Sequence, residues 1–469
     1  MDILFCDELL QEIFRRLPPS SAAAVALVSR RWRRLLRSST TSLSLNFPPP
    51  YNPTTITSFS SFLYHHPFLS SLSASAAADG GAGDHPLLLS VAASCPNLRH
   101  LRLFGPPVSS LSLSNLSKSF LHLSSLSVAV LRPFSLNWLP CFSSLTRLSL
   151  SVKNPLPEID DSELGSVKDS IFDVELRLES LSLSGISQRD YGVAYLWRNC
   201  KNVTKLELNC CEGLGDFSSF SDFLRLASDL QELELRSCRS VANLVLFSLS
   251  ENCVNLNSLL IYDGGSREGL LHFLKQGKCS LRSLDLRLPL DLDNSHMLAI
   301  SENFHFRGLM SLKLQSCCFV TGEGLRAVGR ALNGALEELS LINCDVVVKE
   351  RGLLTTLGQD FNGLKRLDLS YNGMLVDKEV VSMLASCDGL VELRLRGCSR
   401  LSDAVADAMV RRCKRLQVVD VACCCGIRVQ GVEIILLNSL GLRRVEVERN
   451  KLSEAAMARV ADRFVEVVC

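Results

Sequence analysis

Apolar residues recur along this chain in the pattern apolar-x-x-apolar-x-apolar. It runs through Leu98/Leu101/Leu103, Leu145/Leu148/Leu150, Leu178/Leu181/Leu183 and Val203/Leu206/Leu208, and on to Leu416/Val419/Val421 and Leu442/Val445/Val447. The last two positions of each triplet lie two residues apart, the period of a strand. Leu233 and Leu235 therefore point to one side, and Glu232, Glu234 and Arg236 to the other. A helical bundle would need a period of 3.6 at these sites and does not fit. From Val203 onward successive units start 25 to 28 residues apart, the spacing of a repeat array. A weaker unit begins at Leu123, and a strand-like Leu43/Leu45 stands alone near the start. Stretches such as 322–332 and 403–413 read as helices that return the chain to the next strand.

A single unit of this kind cannot bury its leucine ridge, so stacking must do it. Each fully buried Leu then contributes about 1.5–3 kcal/mol. Three residues after the ridge the ladder often ends in Cys or Asn, as at Cys211, Cys238, Cys317, Cys344, Asn372, Cys398, Cys424 and Asn450. A narrow, partly buried turn there needs a small side chain. A second cysteine often precedes the unit, at Cys95, Cys200, Cys253, Cys387 and Cys413.

The pattern resembles the cysteine-containing class of leucine-rich repeats, in a plant-like form. That resemblance implies an α/β solenoid, a horseshoe with parallel strands on its concave face, over residues 98–452. Residues 41–97 then hold a first repeat strand plus an irregular, partly disordered insertion. Within it 56–64 could be a short helix, and 70–84 is rich in Ser, Ala and Gly. Pro and acidic residues over 154–169 predict a long loop. The final segment, 453–469, reads as an amphipathic capping helix with Ala456, Val460, Phe464 and Val467 on one face.

Residues 1–40 differ in character. Apolar residues at helical spacing follow Asp7, a candidate N-cap, and stop at Pro18. A second helix over 21–28 runs into Arg30-Arg31-Trp32-Arg33-Arg34-Leu35-Leu36-Arg37, whose basic residues read as the solvated side of a third helix. Val28, Trp32, Leu35 and Leu36 would form its packed side. Asp7–Leu10, Ile13-Phe14, Leu17-Pro18 and Val28–Trp32 resemble the F-box, with Phe5-Cys6 where that family has Leu-Pro. The resemblance implies a three-helix domain that binds a Skp1-like adaptor. Phe5, Cys6, Leu9, Leu10, Ile13, Leu17, Pro18, Val28 and Trp32 would serve in contact or in support.

Composition adds mainly exclusions. The 50 basic and 49 acidic residues give a net charge of +1, so no whole-chain field for nucleic acid or an anionic membrane is expected. Apolar runs are too short for a bilayer, and Asp2, Asp7 and Glu8 argue against a secretory leader. The 19 cysteines show no C-x2-C pair, and the histidines lack ligand spacing, so no metal or cofactor is expected. The cysteines read instead as small buried hydrophobes in a reducing compartment. Phosphate-loop, metalloprotease and serine-hydrolase motifs are missing, so the chain is not expected to be an enzyme.

What remains is the wall of strand residues facing away from the core, where charges of both signs alternate. Tyr262, Arg287, Lys313, Ile342, Arg394 and Arg396, with Leu260, form the expected contact patch, because Tyr and Arg are prominent in binding hot spots. F-box plus repeats implies the substrate receptor of an SCF (Skp1–cullin–F-box) E3 ubiquitin ligase, reaching cullin-1 through the adaptor, in nucleus or cytoplasm. A target protein would be held for ubiquitination and proteasomal degradation. A scaffold without ubiquitination and a small-molecule (hormone) co-receptor stay open beside it.

Overall fold

The computed structural model describes residues 5–18, 21–47, 53–76, 91, 94–95, 97–154, 175–264, 267–288, 291–463 and 465–469. The chain divides into two compact units, residues 1–206 with 210–227 and residues 207–209 with 228–469.

The first unit opens with helices α1 (Asp7–Arg16), α2 (Ala22–Val28) and α3 (Arg30–Ser39). Ser29 caps α3 by accepting from the Trp32 amide at 3.1 Å. Asp7 is the first helical residue and not the cap expected of it; Cys6 holds the cap position without a side-chain bond. The Asp7 carboxylate instead accepts from Arg31 Nε at 2.9 Å and Nη2 at 2.6 Å, tying α1 to α3.

Strands follow in parallel: β1 (Ser42–Phe47), β2 (Ser71–Ala76), β3 (His100–Phe104), β4 (Ser125–Leu131), β5 (Arg147–Lys153) and β6 (Ser180–Ser184). Leu43, Leu72, Leu101, Leu126, Leu148 and Leu181 stand in one register across them. The leucine ridge is thus a continuous ladder, and each rung is the inward half of a two-residue alternation. Trp197, buried between repeats, meets Phe220 edge-on with ring centroids 4.9 Å apart and donates from Nε1 to the Leu214 carbonyl at 2.9 Å.

Strand β7 (Lys205–Asn209) carries residues of both units. In the second unit β8 (Glu232–Arg236), β9 (Ser258–Tyr262), β10 (Ser283–Arg287), β11 (Ser311–Gln315) and β12 (Glu338–Ile342) precede five three-residue strands. These are β13 (Arg366–Asp368), β14 (Glu392–Arg394), β15 (Val418–Asp420), β16 (Arg444–Glu446) and β17 (Glu466–Val468). All pair in parallel, with Leu233, Leu259, Leu284, Leu312, Leu339, Leu367, Leu393, Val419, Val445 and Val467 in register. Parallel pairing demands a crossover between strands. Helices such as Gly322–Ala331 and Asp403–Arg412 supply it, their apolar sides buried. Both units are α/β leucine-rich-repeat solenoids.

Three expectations need correction. The stretch over 71–76 is not an irregular insertion but strand β2, which pairs with β1 and β3. Its Ser-Leu-Ser-Ala-Ser-Ala sequence has weak strand preference, and pairing on both edges decides its state. With helix α4 (Pro53–Tyr64) between them, β1 and β2 start the solenoid well before residue 98. The C-terminal segment is a helix only over Glu454–Asp462. Val467 lies in β17, where β-branched valines pair with β16. The loop expected over 154–169 falls almost wholly outside the described residues, as do 77–84 of the Ser/Ala/Gly stretch and Phe464.

Candidate functional site

Helix α1 carries two apolar stripes. Leu10 and Phe14 point inward and join Val25 and Leu35 in a small core, with Trp32 and Leu36 packed against it. The Phe14 and Trp32 rings sit 5.3 Å apart. Leu9 and Ile13, with Phe5 and Leu17 flanking the helix, recur every four residues and stay exposed. Leu9 is 46% accessible and Leu10 2%. At the end of α2, Leu27 and Val28 are 79% and 59% accessible.

The sequence-derived set therefore divides. Phe5, Cys6, Leu9, Ile13, Leu17, Pro18 and Val28 lie at the surface, while Leu10 is core and Trp32 is half-buried against it. Val28 had been expected on the packed side of the basic helix; it faces out, because Ser29 breaks the helix between α2 and α3. Leu27 was missed. Its signal, a large apolar residue beside Val28 in an otherwise alanine-rich helix, is visible in the sequence. Trp32 Nε1 is buried without an acceptor among the described residues.

The solenoid's outward face in the second unit is organised in rows by strand register. Tyr262, Arg287, Gln315 and Ile342 are successive neighbours in one row. Leu260, Asp285, Lys313, Ser340, Asp368, Arg394, Asp420 and Glu446 form the next. Tyr262, Arg287, Lys313 and Ile342 are thus brought together, whereas Ser340 and Asp368 separate Arg394 from them. Arg396 lies just beyond β14.

Every cation of the expected patch is paired within this face. Arg287 donates to Asp285 from Nε at 2.9 Å and Nη2 at 2.7 Å. Lys313 meets Glu338 at 2.8 Å, Arg394 meets Glu392 at 2.5 Å, and Arg396 bridges Asp420 and Glu446. Burial pushes the Glu338 carboxyl up, but hydrogen bonds from Lys313 and Ser311 outweigh it and leave the group below its ordinary range. The bond to Asp420 raises the Arg396 guanidinium further above its usual value. Such a face is a preset lattice of charge. Any surface laid against it would have to match the placement of alternating signs rather than a net charge.

The repeat-turn cysteines are structural. Sγ of Cys238 lies 3.3 Å from the Leu208 carbonyl, Cys344 3.5 Å from Leu314, Cys398 3.1 Å from Leu369 and Cys424 2.9 Å from Leu395. Each of these carbonyls belongs to the last ridge residue of the preceding repeat, and Cys238 and Cys344 also face carbonyls of their own repeat, Arg236 at 3.2 Å and Ile342 at 3.4 Å. Burial pushes Cys398 up to about 11 and Cys424 up to about 12, so neither is a ready thiolate. The residue before each such turn adopts a left-handed backbone, at Ser237, Ser316, Asn343, Tyr371 and Cys423. Glycine takes that place at 397, where a Cβ would lie 3.0 Å from the Tyr371 ring. Among the described residues no group of His, Cys, Asp and Glu is arranged to hold a metal, and no helix is long and apolar enough to cross a membrane.

Residues 4–41 match the family model of the F-box domain. At 16% identity and a TM-score of 0.37, 96% of this chain aligns with 90% of a chain in the "Crystal structure of Rad7 and Elc1 complex in yeast". The N-terminal helices thus match an F-box domain, and stacked parallel-strand repeats follow them.

Proposed function

We propose that the chain is the substrate-recognition subunit of an SCF-type E3 ubiquitin ligase, with its F-box docking on a Skp1-like adaptor and its repeats holding a protein target. The observation that carries this reading is the second apolar stripe of the F-box. Phe5, Leu9, Ile13 and Leu17, with Leu27 and Val28, leave large apolar side chains in water although the domain's own core is already filled. A row of exposed apolar side chains on so small a domain is the mark of a surface that a partner covers. In this role the chain performs no bond chemistry of its own. It raises the local concentration of a target beside an activated ubiquitin, and the acceleration comes from proximity. The paired rows around Tyr262 and Arg287 supply the target surface, where an incoming group must match charges already fixed in place.

The test is co-purification of the full chain with a Skp1-type adaptor. Ile13→Asp and Val28→Asp, both at exposed positions, should abolish capture while hydrogen exchange in α1 and α3 stays as in the unmodified chain. Failure of the unmodified chain to capture the adaptor at micromolar concentrations would refute the reading. For the repeats, Tyr262→Ala with Arg394→Ala should lose targets that the unmodified chain retains when the proteasome is blocked.

A further inference from the structure

Helix α3 carries a second feature that the adaptor reading does not use. Arg30, Arg33, Arg34 and Arg37 recur at spacings of three, four and seven residues and so share one side of the helix. Across from them lie Tyr64, His65 and Pro67, at and just beyond the end of α4, and the two walls enclose a cleft of about 340 Å³ that also takes in Ser38. Arg31 shows how an arginine of this helix is ordinarily satisfied, through Asp7 and the Phe5 carbonyl. The four cleft arginines have no carboxylate partner among the described residues, and the hydrogen bond their guanidiniums make there runs from Arg33 Nε to the Ala26 carbonyl at 3.1 Å. Behind the wall, burial above all holds the His66 imidazole below its ordinary value, and the Arg37 charge adds to this.

Four like charges along one helical stripe repel one another, and guanidinium forks match phosphate oxygens in bidentate geometry. We propose that this cleft binds a compact, soluble polyphosphate anion, gripped by Arg30, Arg33, Arg34 and Arg37, with Tyr64 and His65 closing the opposite side. The cleft's volume suits several phosphoryl groups on a small body. An extended nucleic acid would need a basic track leading past it, and a chain of net charge +1 offers no broad field of that kind.

The experiment titrates the full chain, alone and with its adaptor, with sodium tripolyphosphate at fixed ionic strength. Calorimetry and the melting temperature are read together. Saturable one-to-one binding with a raised Tm is expected in both settings. Arg34→Gln with Arg37→Gln should weaken binding by about tenfold or more. Arg16→Gln, on α1 outside the cleft, should leave it unchanged. Because the double variant removes like charges, its Tm without anion should equal or exceed that of the unmodified chain, which separates lost binding from lost folding. The proposal is overturned if sodium chloride reproduces the Tm rise, or if the double variant binds undiminished. It is equally overturned if the adaptor abolishes binding by covering the stripe, if an oligothymidylate binds more tightly than tripolyphosphate, or if only anionic vesicles are bound.

Discussion

Arg396 donates from Nε to Oδ2 of Asp420 at 2.9 Å, and the carboxylate it meets is 3% exposed. The same guanidinium reaches Glu446 with Nη2 at 2.8 Å, so one side chain at the end of β14 spans the two following strands. Removing it would strand a buried charge. Arg396→Ala is expected to destabilise the second unit by about 3 kcal/mol. Adding Asp420→Asn should return part of that, because the uncompensated carboxylate is gone. Urea unfolding of the two variants measures both effects; a loss within error for Arg396→Ala would mean that water satisfies Asp420.

Asn372 occupies a ladder position that neighbouring repeats give to cysteine. Its Nδ2 donates to the carbonyls of Leu341 at 2.7 Å and Leu369 at 2.8 Å, and its Oδ1 accepts from the Cys344 amide at 2.9 Å. Asn372→Ala should cost about 3 kcal/mol, since three buried groups lose their partner. Asn372→Cys should cost less, because the thiols of Cys344 and Cys398 each lie within donating distance of the last ridge carbonyl of the preceding repeat. Equal losses for the two variants would show that side-chain size, and not donation, sets the residue choice there.

The two stripes of α1 predict opposite phenotypes at adjacent residues. Leu10→Ala empties part of the F-box core and should destabilise it by about 2–4 kcal/mol, seen as faster hydrogen exchange in α1 and α3. Leu9→Ala should leave exchange unchanged and weaken adaptor capture. Identical behaviour of the two would contradict the division of the helix.

Asp293 gives the second unit a pH dependence. It caps the helix Asn294–Glu302, accepting from the Ser295 amide at 3.0 Å, facing His296 Nδ1 at 2.9 Å and pairing with Arg267 at 2.7 Å. Burial alone would raise its carboxyl, but bonds from Ser295 and His296 outweigh it and bring the group down to about 2. A depressed value in the folded state stabilises above the unfolded carboxylate's range, and that stabilisation drains away as pH falls from about 4 toward 2. Asp293→Asn should flatten this acid limb by about 1 kcal/mol, allowing for solvent screening. Unfolding midpoints at pH 7, 4 and 3 would reveal it, and parallel curves for the two proteins would refute it.

The repeats were legible because their signal is local. Alternation across a strand tells which side of it each residue takes, and Cys or Asn at a fixed offset marks the turn, so Leu233 and Cys238 could be placed without neighbours. Glu234-x-Arg236 and Asp285-x-Arg287 likewise carry their ion pairs within one strand. The F-box helices were legible through helical spacing, but which apolar residues of α1 face the core and which face solvent was decided by the fold.

Other features needed the assembled fold. Ser71–Ala76 holds little apolar surface and is a strand because β1 and β3 hydrogen-bond it from both edges. The exit of Val28 to solvent depends on where the chain breaks between α2 and α3. Arg396, Asp420 and Glu446 meet across separations of 24 and 50 residues, set by the lengths of the intervening repeats. Local composition decides which side of a strand or helix a residue takes, since that follows from backbone geometry alone. Which residues then become neighbours depends on how whole repeats stack, and only the tertiary structure holds that register.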